Sequence, residues 1–446
     1  MPLDLARPPL SVFHMPGVHP GLSYLPPRPG WVLRPARGAR VRLFAESDDE
    51  TLRAAQQAGV EGQQRRLLTT VMEIGSAPVV LRNAQFRNSF AMIDGRIWLN
   101  GAAGSRMRQR FDAENAADWR QSRLTHAFHR MRQRAEVPLP VWQGPATDMP
   151  VAIELKNGFN YYHFTTETLG SLAHFAADDS GQPIRLHLPG GEARAFVRGF
   201  VGAVFPALAD RLELVSAGTR YDRVRSVYHH QHYLYQVEDA RVAEIVGAAG
   251  TDPRWAALRP AGNQRKAVAM ASFGSSLRLL REHALRQVPA RMVAQMPRLV
   301  WMGRDEAGAA RARGVTGHEA LLAGLDARGF ARVAFEHLSP LEPIAQMQAA
   351  EIVIAPHGAG LANMVYARPG ALVIEIGTRQ TQRYRWGDFL PCAHVSGCCY
   401  DTVFADISRV APGAVPPISA GLLGVHIGQR ATHRILSLVD AALAVA

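Results

Sequence analysis

The 446-residue chain has only three cysteines, and Cys392, Cys398 and Cys399 all fall in one short stretch. Such a cluster cannot build a disulfide framework for a chain this long, so a reducing, cytoplasmic compartment is expected. With His394 the three suggest a zinc cluster on paper, but adjacent Cys398 and Cys399 lack the C-x₂₋₄-C spacing, and small buried hydrophobes are the better reading. Lysine is nearly missing: Lys156 and Lys266 are the only two among 50 basic residues. Arginine therefore carries the net charge of +12, and its planar fork suits phosphate and carboxylate ligands. No compact basic run or aromatic-interleaved basic motif accompanies it, which argues against nucleic acid and for anionic small molecules or a membrane surface. No run of about twenty apolar residues occurs, and the proline-broken opening "MPLDLARPPLSVFHMPGVHPG" has no apolar signal core, so neither membrane spanning nor export is expected. Internal repeats and low-complexity tracts are also missing, which excludes solenoids and bulk disorder.

What remains is globular in character, with 47% hydrophobic and 20% charged residues. The length exceeds the roughly 250–300 residues at which one core stops growing, so two domains are expected. Residues 1–45, rich in Pro, Gly and Arg, read as an extended leader. Residues 46–290 read as an α/β domain: Asp94-Gly95 signals a type I′ hairpin, and strands are expected at "MPVAIEL", "IRLHL" (184–188), "LELVS" (212–216) and "RVRSVYHH" (223–230), with a long helix near 273–287. Residues 107–135 look like a solvated helical or irregular connection. The proline-bearing "QVPARMVAQMP" marks the boundary.

Residues 291–425 are more legible. "PRLVWMGR", "ARVAFEHL", "EIVIAP" and "ALVIEIG" are strands separated by helices, and the last two are apolar on both faces. That pattern predicts a parallel sheet covered on both sides, of the doubly wound Rossmann type. In "TGHEALLAGLDARG" Thr316 is the expected N-cap, Glu319 its capping-box partner and Gly329 the stop. The final "ATHRILSLVDAALAVA" within 426–446 reads as an amphipathic helix, too short to span a bilayer.

Ligands of such sheets lie outside the carboxyl ends of the strands. There the sequence places His357-Gly358-Ala359-Gly360-Leu361, with Asn363 one turn on. Glycines let backbone N–H groups approach a ligand, and a helix N-terminus favours a diphosphate; a tight turn with a structural histidine is the alternative. Glu375, a lone carboxylate in an apolar strand, needs a reason such as ribose hydroxyls. Arg304, closing "LVWMGR", suits a phosphate, or a salt bridge with Glu375. In the first domain, "NYYHFTTETLGSLAHF" read as a helix puts Phe164, Thr168, Leu172 and Phe175 on a core stripe and His163, Glu167, Gly170 and His174 on another face. His163 and Glu167 are then i,i+4 neighbours, a carboxylate-supported imidazole fit for general base work, though a satisfied buried histidine is the plainer alternative. His174 and the run His229-His230-Gln231-His232 show no partner pattern and are left as structural or substrate-contacting.

Taken together, "NYYHFTTETLGSL", "LVWMGR", "GFARVAFEHLSPLEPIAQMQAAEIVIAP" and "APHGAGLANMVYARPGALVIEI" resemble glycosyltransferase family 61 over roughly residues 75–400. The resemblance implies a GT-B-like α/β architecture, two Rossmann-like domains facing across a cleft, and inverting transfer of a sugar from a nucleotide sugar to a glycan hydroxyl. A UDP- or CMP-sugar donor, a role in bacterial surface or capsular polysaccharide synthesis and a cytoplasmic enzyme peripheral to the inner membrane are the corresponding expectations. His163 with Glu167 would supply the base, and Arg304, His357, Gly358, Ala359, Gly360, Leu361, Asn363 and Glu375 would hold the donor. Where family members carry an "SR..A..R..N-E" passage, this chain keeps Arg304 and offers Arg311 or Arg313, but Thr316-Gly317 replaces Asn-Glu. No D-x-D motif occurs, so no metal or other cofactor is expected. A hydrolase would need a G-x-S-x-G elbow, which is absent. A catalytically inactive nucleotide- or glycan-binding protein of the same fold is the remaining alternative.

Overall fold

The structure, a computed structural model, describes residues 9–87, 90–101, 104, 106–107, 110–111, 139–155, 160–190, 192–231, 271–303, 314–411 and 413–444. Most of the 107–135 connection, Arg304, Arg311, Arg313 and His232 therefore lie outside the described residues. The chain divides into two compact units, one of Met1–Ala36 with Met72–His283 and one of Arg37–Val71 with Ala284–Ala446.

In the first unit a nine-stranded sheet runs in the order β1 (Phe13–His14), β8 (Arg96–Trp98), β7 (Phe90–Ile93), β6 (Ser76–Arg87), β12 (Thr219–His229), β9 (Val151–Glu154), β10 (Ile184–His187) and β11 (Leu212–Val215), with β2 (Leu22–Tyr24) also on β6. The expected hairpin is the β7–β8 turn, where Asp94 and Gly95 have φ of 47° and 74°, both positive as a type I′ turn requires. This sheet departs from the Rossmann-like expectation. It is parallel through β12, β9, β10 and β11 but antiparallel from β12 through β6 and β7 to β8. A two-residue hairpin returns the chain at once, whereas a parallel neighbour needs a helical crossover. A separate three-stranded sheet joins β13 (Ser272–Gly274), β5 (Thr70–Ile74) and β3 (Leu33–Arg37).

The second unit is built on strands that are all parallel, in the order β16 (Ala331–Ala334), β14 (Leu299–Gly303), β17 (Ile352–Pro356), β18 (Leu372–Thr378), β19 (Cys399–Ile407) and β4 (Arg40–Ala45). The short β20 (Val425–His426) pairs antiparallel with the end of β19, and β15 (Val315–Thr316) pairs with β20. Alternation along the strands sends Ile352, Ile354, Leu372, Ile374, Ile376 and Val403 to one face. There they pack on Leu321 and Leu325 of the helix Glu319–Asp326 and on Ile435, Leu438 and Val439 of the helix Gln429–Leu443. The opposite face carries Val353, Val373, Tyr400 and Phe404, also buried, so β17 and β18 are buried throughout. The chain is thus a mixed α/β protein.

Two features of this unit differ from the sequence reading. Thr316 is not an N-cap: it sits in β15, its hydroxyl meets Ser408 Oγ at 3.2 Å and His426 Nδ1 at 3.1 Å, and the helix starts after His318. Gly317, at φ 67°, makes the turn between them. The sheet also gains β4 from the N-terminal 45 residues and β19 from "CYDTVFADI". Arg42 of β4 lies in register with the fully buried Asp401 of β19 and donates to it from Nε at 2.9 Å.

Candidate active site

The first constellation lies on a helical run between β9 and β10. Asn160 caps it, accepting from the Tyr162 amide at 2.9 Å. One turn is α-helical (Tyr161–His163), and the next, Phe164–Leu169, is π-helical. Wide turns of this kind are rare and concentrate at functional sites. Hydroxyls anchor both ends of it: Thr166 Oγ1 donates to the Tyr162 carbonyl and Ser171 Oγ to the Glu167 carbonyl, each at 2.7 Å. Phe164, Leu169 and Leu172 are fully buried, and Tyr161 and Phe164 stack edgewise on Phe200. The helix is therefore fixed by its apolar side while its polar side is presented.

On that polar side His163 Nδ1 and Glu167 Oε1 meet at 2.6 Å, with the two side chains 21% and 24% exposed. They remain reachable by a substrate. A carboxylate only accepts, so Nδ1 carries the proton of this contact, and in the neutral ring the lone pair is on Nε2. Beside Glu167 is a small pocket lined by Asn100, Gly101, Glu154, Ser171, Ser226 and His229. His229 Nε2 lies 2.9 Å from Ser171 Oγ, and Asn100 spans the wall, accepting from the His229 amide and donating to the Val227 carbonyl. His229, without a partner pattern in the sequence, is thus a pocket residue. His174 is not: its Nε2 meets Ser76 Oγ at 2.8 Å, and burial first, then His229 and Arg278, lower its pKa to about 3. His230 is held between Tyr24 and the Gly75 carbonyl, both at 2.7 Å, and burial lowers it to about 4.

The second constellation lies in the second unit. Counting β14, β16, β17, β18 and β19 along the chain, their spatial order is 2-1-3-4-5. From β14 the chain moves outward to β16, and from β17 it moves the opposite way to β18. The crevice outside the carboxyl ends of β14 and β17 is therefore the topological switch point, where open parallel sheets bind ligands. His357 to Gly360 leave β17 at that place and are half-buried. Gly360 allows a close approach to β14, since a Cβ there would stand 3.1 Å from Met302 Sδ. The segment Ala359–Tyr366 is a 3₁₀-helix rather than an α-helix, but its first N–H groups, like those of any helix start, have no partner within the helix.

The candidates beneath that loop have other tasks. Leu361 is 1% exposed and belongs to the core. Asn363, 2% exposed, donates its amide back to the Gly360 carbonyl at 2.9 Å, which shapes the loop rather than facing a ligand. Glu375 is engaged by protein groups on both oxygens: Oε1 by His357 Nδ1, Oε2 by the Tyr400 hydroxyl and, at 3.4 Å, by Thr402 Oγ1. It holds the imidazole rather than awaiting ribose. Burial first, then the Glu375 charge, raise the Tyr400 pKa well above its ordinary value, so the phenol stays a donor. The His357 ring rests edgewise on Phe389 at 5.3 Å. Tyr400 and Thr402 escaped the sequence reading, although two polar residues inside a buried strand were a signal. Cys392 and Cys398 are buried, the Cys392 thiol pushed up to about 12 by burial and then by Cys398, and His394 Nδ1 accepts from the Ala39 amide at 3.1 Å. Among the described residues no helix is long and apolar enough to cross a membrane, and no cluster of three His, Cys, Asp or Glu is arranged to hold a metal.

Residues 161–374 match the family model described as Glycosyltransferase 61. The match begins with the helical run that carries His163 and ends on β18, one residue before Glu375. No curated protein matches the chain.

Proposed function

We propose that this chain, which carries a glycosyltransferase family 61 segment over residues 161–374, is an inverting glycosyltransferase of the GT-B type that moves a sugar from a UDP- or CMP-sugar to a glycan hydroxyl. The observation that carries the reading is the location of His357 to Gly360, inside the family segment and at the switch point of a parallel sheet. Backbone amides and an imidazole at such a crevice suit a nucleoside phosphate. Arg304, in sequence directly after β14, supplies a guanidinium for the same group.

For the chemical step, His163 Nε2 takes the acceptor hydroxyl proton as the acceptor oxygen attacks the anomeric carbon. The bond from that carbon to the leaving phosphate oxygen breaks, and its electron pair stays on the phosphate. Glu167, at 2.6 Å, keeps the ring in the right tautomer and balances the imidazolium that forms. Charge on the leaving group is met by the glycine-loop amides and His357. With no D-x-D motif to place a cation, turnover is expected to survive chelation. The arginine-rich composition fits an anionic glycan of the bacterial surface or capsule, made by a cytoplasmic enzyme at the inner membrane face.

A thermal-shift screen with UDP, CMP and their sugars tests the reading, since a ligand at a hundred times its Kd stabilises the native state by about 2.7 kcal/mol. A melting point raised by one nucleotide class is the expected result. Indifference to every nucleotide overturns it, and binding without sugar transfer or donor hydrolysis points to the inactive binding protein.

A further inference from the structure

Resting on that reading, we infer that Tyr400 and Thr402 are positioning residues for the phosphate subsite: through Glu375 they fix the His357 imidazole with its proton on Nδ1. Thr402 lies in register with Glu375 on the neighbouring strand, and Glu375 in register with Ala355, two residues before His357. Tyr400, two residues back on β19, is on the same face. The arrangement runs Tyr400 and Thr402 to Glu375 Oε2, then Glu375 Oε1 to His357 Nδ1. All the members but His357 lie beyond the residues matched by the family model.

Each link has one assignable direction. Tyr400 is buried and protonated, so its hydroxyl donates, and a carboxylate has no proton to give. The proton between Glu375 and His357 must then belong to Nδ1. That holds whether Nε2 carries a proton or a lone pair, so the ring keeps one orientation in both states. The Phe389 ring packs edgewise against the imidazole. Glu375 at 7% side-chain exposure has little water to replace a lost donor, so removing the Tyr400 hydroxyl loosens the carboxylate and with it the imidazole.

The test uses full-length protein labelled with ¹⁵N-histidine, with the His357 signals assigned by their loss in His357→Gln, and inorganic pyrophosphate and UDP as probes. In the unmodified protein, Nδ1 of His357 is expected to show the shift of a protonated nitrogen at neutral pH. Tyr400→Phe is expected to move both ring shifts and to weaken both probes by on the order of tenfold, the size that outer-shell partners reach at metal-bound histidines. A proton found only on Nε2 in the unmodified protein overturns the inference without any variant, which also covers the case that Tyr400→Phe does not fold. Unchanged shifts and affinities in a folded Tyr400→Phe and in Thr402→Val overturn it as well. If the unmodified protein binds neither probe, the phosphate subsite falls with the proposed function, and the ring shifts show separately whether Tyr400 controls the tautomer.

Discussion

In the proposed step His163 takes the acceptor proton, so His163→Ala removes that base, and the substitution lies in the first unit while the glycine loop belongs to the second. A positioned general base contributes about 10²–10⁴ in rate, so His163→Ala should lower the release of nucleoside phosphate from a sugar nucleotide by that factor, roughly 3–5 kcal/mol of transition-state stabilisation. Glu167→Gln is the finer probe. It keeps the side-chain shape and the acceptor for Nδ1–H but removes the charge that balances the imidazolium. A hydrogen bond to a charged group contributes about 1.5–3 kcal/mol, and with both partners more than a fifth exposed, water screening puts this one at the low end, about tenfold in rate. The two residues act as a unit, so the double variant should lose little beyond His163→Ala alone. Initial rates of nucleotide release measure the effect, and the thermal shift produced by UDP should stay the same in every variant. Near-normal turnover by His163→Ala refutes the assignment, and a matching loss of the UDP shift means that folding or donor binding has changed instead of the chemistry.

Three further outcomes follow from the same geometry. Arg42→Ala leaves Asp401 fully buried without its guanidinium, and breaking a buried pair costs about 3–5 kcal/mol; because Arg42 is 42% exposed, a loss near 3 kcal/mol is expected in urea melts, and a loss under about 1 kcal/mol contradicts the reading. Gly360→Val forces a branched side chain into the space where even a Cβ stands 3.1 Å from Met302 Sδ, so the loop or Met302 must shift and nucleotide shifts should disappear with a stability loss of about 1–3 kcal/mol; retained UDP binding contradicts a donor site at this loop. Burial holds His14, His187 and His230 at about 4 and His174 at about 3, all in the first unit, against an ordinary value of 6.5. The unfolded chain thus binds protons below pH 6.5 that the folded unit refuses, so each histidine removes up to about 1.4 kcal/mol of stability per pH unit between 6.5 and its folded value. The urea midpoint of this unit should be lower at pH 5.5 than at pH 7.5, and an equal or higher midpoint contradicts the burial account.

Local patterns carried the sequence reading a long way. Apolar runs located β14, β17 and β18, the Asp94-Gly95 pair located a hairpin, and four-residue spacing brought His163 to Glu167. What stayed hidden depends on pairings between distant segments. Nothing near Arg42 in sequence announces that β4 lies along β19, more than 350 residues on, or that Arg42 answers Asp401. Glu375 read as a lone carboxylate because its partners come from the turn behind it and from the next strand over. Thr316 has the chemistry of an N-cap, but strand pairing with β20 outbids it, and a terminal hydroxyl is then free to meet Ser408 and His426. The π-helical turn under His163 and Glu167 was equally invisible, since periodicity over so few residues cannot separate it from an α-helix.

The central claim is that a nucleoside phosphate sits at the β14–β17 switch point, against the loop His357 to Gly360. Amide hydrogen exchange with and without saturating UDP tests it most directly. Slowed exchange in peptides covering 357–361 is the predicted result. Exchange unchanged there, with protection confined to other segments or absent altogether, would contradict it.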